Sequence, residues 1–345
     1  MSTVYKTFLN NDITSTRSLL HEAIPITGSI VSGTYADANI KDYSHGQFQS
    51  VYDYPYLSSS ANHLFDITVG YSANSSLSSS TSIENKKKIN IYNQMAQILV
   101  GHDLTGGILQ FDADGDLLAG GNKLKEVIFV NFARLLSKDE IKKSSFYMQL
   151  GTSSYAAPHA SGLLLQDAGA QNDFRTNSPA GEYGVLYTSS VGITQDTGLG
   201  LVFYQAGIAV ISASVFASVP QFSASAPAGI NSNINAALTA STIVEIADAF
   251  RHRLSDVDFN NTTELNSTIY FVRMNHNEFN YSANPTYLSG SKIRVKNNTV
   301  DEPVTYATTV GMYSADNELL AVAKISEPLK KTPQNELNLR VRLDY

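Results

Sequence analysis

From residue 337 the chain alternates: Leu337, Leu339, Val341, Leu343 and Tyr345 are apolar, and Asn338, Arg340, Arg342 and Asp344 stand between them. Side chains of a β-strand point to opposite faces in turn, so a period of two dictates a strand with one dry and one wet face. Such a strand needs a sheet to lie in. Further strand-like runs at 268–274, 292–296, 304–313 and 319–325 fill the same third of the chain, and Ser314, Ala315, Asp316 and Asn317 between two of them read as a hairpin turn. Residues 255–345 are therefore expected to form an antiparallel β domain.

Composition carries this expectation across the chain. The 345 residues include 40 Ser, 25 Thr and 27 Asn, types that favour strands, turns and loops over helix interiors. The fold class expected is mainly β with a few helices, a β-rich α+β protein with antiparallel sheets. Cys is absent, which excludes disulfides, iron–sulfur ligation and thiol catalysis. A net charge of -7 disfavours attachment to phosphate backbones, so nucleic acid is not an expected partner. Residues 1–17 lack the order of a secretory signal, which points to synthesis in a cytoplasm. The apolar stretch 201–219 has no basic flank and is interrupted by Gln205, Ser212, Ser214 and Ser218, so no membrane span is expected.

Three domains are expected. Residues 1–72 read as an extended amino-terminal arm with a first strand at 63–71, and the Ser-rich stretch 72–84 as a flexible connection. Residues 84–254 read as a central β-rich domain with helices. In it, 88–100 places Ile91, Met95, Ile98 and Leu99 at helical spacing, after a Lys86–Lys88 run read as a solvated helix start. Strands are expected at 126–136, 144–150, 182–188 and 201–211. The clearest helix is 241–257, opened by Thr242 and Glu245 as a capping box.

Motifs for chemistry are sparse. Asp112, Asp114 and Asp116 suggest a calcium loop, but the EF-hand pattern needs Gly at its sixth place and Glu at its twelfth, where Leu117 and Lys123 stand. The reading adopted is a polar hairpin tip without metal. GDLLAGGNK at 115–123 is not a phosphate-binding loop, because Asn122 parts Gly from Lys and no Ser or Thr follows. His276 and Glu278 lack a visible third ligand, and there is no G-x-S-x-G nucleophile elbow. No catalytic residue, cofactor or metal is expected. Aromatic residues in polar turns, namely Tyr52, Tyr54, Tyr56, Phe279 and Tyr281, are the candidate subunit contacts, since aromatics supply large contact area at low rotamer cost.

Several segments resemble virion structural proteins of large contractile-tailed bacteriophages. They are KTFLNNDITSTRSLLHEAIPITGSI at 6–30, YSHGQFQSVYDYPYLSSSANHLFDITVGYS at 43–72, SPAGEYGVLY at 178–187, GLVFYQAGIAVIS at 200–212 and FNNTTELNSTIYFVRMNHNEFNYSANPTY at 259–287. Residues 304–331 are also similar to a hairpin pattern of tail-collar and fibre-attachment proteins, with Gly311, Met312 and Tyr313 before the turn and an apolar strand over 319–324 after it. The resemblance implies a non-enzymatic virion component, assembled in the host cytoplasm and placed in the tail or baseplate as a wedge or fibre connector. Its implied partners are other virion proteins and copies of itself, with host-surface contact as a further role. The alternatives are a head-decoration or neck protein, a receptor-binding module and, last, a polysaccharide depolymerase.

Overall fold

The computed structural model describes residues 5–27, 37–188, 197–219, 221–222, 233–281, 288–289, 292–293, 300 and 302–345. The chain runs through β1 (Ile13–Thr27), β2 (Ile40–Asp42), β3 (Gln49–Tyr52) and β4 (His63–Tyr71) into helix α1 (Ile83–Leu99). Strand β5 (Glu126–Phe132), the single turn α2 (Arg134–Ser137), β6 (Glu140–Ile141), β7 (Tyr147–Gly151), β8 (Gly162–Gln166) and β9 (Tyr183–Leu186) follow. Next come β10 (Gly200–Phe203), β11 (Ile208–Ser212), helices α3 (Ile234–Ala240) and α4 (Ile243–Arg253), and the long strand β12 (Leu254–Met274). The last strands are β13 (Leu288–Ser289), β14 (Lys292–Ile293), β15 (Thr305–Tyr313), β16 (Leu319–Lys331) and β17 (Leu337–Asp344). The protein is mainly β, and its sheet ladders are antiparallel.

The chain divides into two compact units: Leu20–Thr263, and a second made of Met1–Leu19 with Glu264–Tyr345. The first unit is built on a seven-stranded sheet in the order β2-β3-β4-β5-β11-β10-β9. Residues 40–52, expected as part of an arm, are thus two strands of this sheet, because Val51, Gln49 and Ser50 are buried in register against β4. The single strand expected at 201–211 is a hairpin instead: Tyr204–Gly207 turns the chain, with Gly207 at φ 67°. Helices α1 and α4 pack on β4. Gly70 of β4 permits this approach, since a Cβ there would lie 2.8 Å from the Lys88 carbonyl oxygen and the Tyr92 nitrogen. Strands β6, β7, β8 and the start of β12 supply a second set of inward side chains, and Phe132 meets Phe146 and Phe259 at ring-centroid distances of 5.9 and 5.1 Å.

Helix α1 starts earlier than its spacing predicts, at Ile83 behind the Ser82 cap, and buries Asn85, Lys88, Ile91, Tyr92, Ala96 and Leu99, whereas Ile98 is exposed. Lys88 is no solvated residue. Its stem lies in the core and its ammonium donates to the carbonyl oxygens of Leu238 (2.7 Å) and Ser241 (2.5 Å) at the end of α3. Those carbonyls have no intrahelical partner, and burial pulls the Lys88 pKa down to about 8. The Ser-rich stretch is also tied down. Ser72 donates its amide to Lys125 (2.7 Å), and the buried Ser75 caps the short turn Ser76–Ser79 and bonds Glu126. Helix α4 opens with the expected Thr242–Glu245 capping box but stops at Arg253, because Leu254 and Val257 pair with β7 as strand residues.

The second unit is organised differently. The later part of β12 pairs with β17 from Ser267–Asp344 to Met274–Leu337, and β17 shows strict alternation of half-buried and exposed residues. β15 and β16 form a two-stranded ribbon that pairs with no other described strand. Its turn is as expected: the Asn317 amide donates to the Ser314 carbonyl at 3.1 Å, with Asn317 at φ 63°. Of the strand expected at 292–296, Lys292–Ile293 is β14 and the rest lies outside the described residues.

Candidate functional site

Two regions bear on function: the surface of the second unit and the acidic turn of the first. In the second unit the described strands lack a buried apolar interior. Among the described residues its buried hydrophobic side chains are Met274 and Met312, and the contiguous core lies wholly in the other unit. Polar contacts tie it together instead. Lys331 is buried and donates to the His276 carbonyl (3.2 Å), Asn280 Oδ1 (2.7 Å) and the Thr332 carbonyl (2.8 Å), while Arg273 pairs with Asp12 at 2.7 Å. Meanwhile Tyr306, Tyr313, Leu319, Leu320 and Val322 of the ribbon are exposed.

The five expected contact residues are divided between the units. Phe279 and Tyr281 belong to the second, both exposed, with Phe279 at φ 54°. Tyr52, Tyr54 and Tyr56 belong to the first; Tyr54 and Tyr56 are exposed, whereas Tyr52 is half-buried between Tyr56 (6.2 Å) and His63 (5.4 Å). Burial raises the Tyr52 pKa. His276 and Glu278 do not converge: His276 faces Glu336 at 3.4 Å, and Glu278 bonds Lys6 and the Asn275 amide. The ribbon surface could have been found in the sequence only by noticing that Leu319, Leu320 and Val322 exceed what one buried face of a ribbon can hold.

The acidic turn is a built structure. It is closed at its base by one antiparallel bridge between Asp112 and Lys123, in which the Ala113 amide donates to the Asn122 carbonyl and the Leu124 amide to the Phe111 carbonyl, each at 2.9 Å. One carboxylate oxygen from each of Asp112, Asp114 and Asp116 lies within 4.8 Å of the others. Asp114 Oδ1 accepts from the Asp116 amide (3.1 Å), and Asp116 Oδ1 accepts from the Leu118 amide (2.7 Å). The turn is braced from outside: Arg175 donates to the Asp114 carbonyl, Tyr183 to the Gly115 carbonyl (2.7 Å) and Asn177 to the carbonyls of Gly115 (3.1 Å) and Asp116 (3.2 Å). Asp112 is fully buried; its Oδ2 takes the Lys123 ammonium, which also reaches the Leu118 carbonyl, and its Oδ1 has no hydrogen-bond donor. Burial raises the Asp112 pKa to about 6 against the pull of Lys123. Lys123, set aside above as a failed phosphate-loop lysine, is therefore engaged within the turn.

Other buried ionisable groups serve packing. Asp167 accepts from the amides of Ser144 (2.8 Å) and Phe146 (3.0 Å) and from the Tyr204 hydroxyl (2.9 Å), and burial raises its pKa to about 6. Arg253 donates to the carbonyls of Gly151, Ser153 and Gln221, so it closes the end of β7 from within.

The architecture defines a class: a mainly β protein in which one unit has a conventional core and the other an exposed apolar surface. No protein-family model, no curated protein and no solved structure matches the chain. Among the described residues no helix is long and apolar enough to cross a membrane, which says nothing of β-barrels.

Proposed function

We propose that this chain is a structural component of a tailed-phage virion, in the tail or baseplate as a wedge or fibre connector, acting through contacts with other virion proteins and with copies of itself. The observation that carries the reading is the second unit, which has long strands, exposed ribbon residues Tyr306, Leu319, Leu320 and Val322, and no apolar core among its described residues. An isolated two-stranded ribbon is marginal in water, so β15 and β16 gain most of their stability from a surface laid against them. Among the described residues β1 ends its sheet path, so its outer edge is available for strand addition, and Phe279 and Tyr281, which follow β12 in the chain, supply exposed aromatic anchors. The sequence resemblance supplies the setting, the tailed-phage particle. The action is adhesive, with no reaction step.

Immunogold electron microscopy of purified particles of the encoding virus tests this. Gold at the tail tip is expected. Gold on the head or collar replaces the tail assignment with a decoration or neck role. Intact and gently disrupted particles that both stay unlabelled by an antibody shown to recognise the native chain overturn the virion reading.

A further inference from the structure

We infer that the turn at 112–118 is a divalent-cation site of the calcium type, formed by Asp112, Asp114 and Asp116. The clustering of three acids alone would not carry this; the second observation is Asp112 itself. Its side chain is wholly buried, yet Oδ1 has no donor, in a protein interior where an unmatched carboxylate oxygen is costly. Lys123 satisfies the other oxygen, and Oδ1 is left without a donor beside two further carboxylates.

The donors suit a hard cation. Asp114 and Asp116 each spend one oxygen on a backbone amide, which fixes the carboxylates in place. One oxygen from each acid lies within 4.8 Å of the others, close enough for a single ion with oxygen ligands at about 2.3–2.6 Å. Charge also matches. Three carboxylates less the Lys123 ammonium leave a formal charge of about -2, and Arg175, the other cation at the turn, is paired with Asp173 at 2.5 Å. The sequence argument against calcium rested on two places, and the structure removes one. Leu117, where glycine is expected, adopts φ 61°, the left-handed conformation for which glycine is normally chosen. The other difference stands: Lys123 replaces the bidentate Glu, which lowers affinity. A dissociation constant of about 10⁻⁴–10⁻³ M is expected, the weak end of such loops.

The test is calorimetric titration of the chelator-treated full-length chain with calcium chloride and with magnesium chloride, alongside thermal melting. One saturable calcium site is expected, with a rise in Tm at about 10 mM calcium and binding weakened at least about tenfold in Asp116→Asn. Asp116 is chosen because it is exposed, so its variant should keep the fold, and circular dichroism checks that it does. Absence of both heat and Tm shift in the native chain overturns the site. So does a titration left unchanged by Asp114→Asn and Asp116→Asn, which would place the ion elsewhere. If calcium binds only in Lys123→Gln, the lysine ammonium is the resident cation and the native chain holds no metal. None of these outcomes bears on the assembly reading.

Discussion

The two units are made of the same kinds of strand and stabilised by different means. Leu20–Thr263 buries a contiguous apolar cluster running from Ile40 to Phe259, whereas the unit of Met1–Leu19 and Glu264–Tyr345 relies on backbone ladders and on polar ties such as Lys331 and Arg273–Asp12. Hydrophobic burial is the dominant favourable term in folding, so a unit that forgoes it inside must recover it outside. The exposed tyrosines and leucines of the ribbon are where it would do so.

The sharpest way to break this contrast is a truncation in each unit, followed by chemical denaturation. Phe132→Ala removes a ring packed on Phe65, Phe146 and Phe259 and should cost about 3–5 kcal/mol. Leu320→Ala, on the exposed ribbon, should change the stability of the free chain by less than about 0.5 kcal/mol while reducing incorporation into particles. A cost above about 2 kcal/mol for Leu320→Ala would mean that the ribbon already has a partner surface in the free protein.

The pH dependence should separate the units next. Asp167, only 2% exposed, has a pKa raised from 3.8 to about 6 by burial, so between those values the folded chain binds a proton that the unfolded chain has released. Stability linked to Asp167 therefore falls as pH rises from about 4 to about 6, by about 3 kcal/mol at most, and is recovered on acidification through the same window. Urea melts at a series of pH values should show this slope in the native chain and a flatter one in Asp167→Asn. An equal slope in both would assign the pH dependence to other groups. The smallest effect is the Leu320→Ala change in free-chain stability, and it is the one whose absence is informative.

What could be read from the sequence follows the same division. β17 was legible because one face is wet, so its pattern Leu-Asn-Leu-Arg-Val-Arg-Leu-Asp carries its period openly. The start of α4 was legible because Thr242 and Glu245 act within one turn. β10 and β11 were not separable, since both are buried on two faces and alternate in nothing; only Gly207 marks the turn. Lys88 misled because a charge at a helix start is normally solvated, and its carbonyl partners lie some 150 residues away. The division into units was hidden for a like reason, as one unit is assembled from both ends of the chain. At the candidate cation site the spacing of the acids was visible, but the burial of Asp112 and the left-handed turn at Leu117 were not.

The seat of Lys88 has one more consequence. Lys86 and Lys87 stand beside it in sequence, and neither is buried. An amine-reactive label applied near neutral pH therefore meets three neighbouring lysines in two kinetic classes. The third can be modified only in molecules where α1 has parted from the end of α3, so one peptide spanning 86–88, released by a protease that does not cut at lysine, holds both the clock and its internal standard.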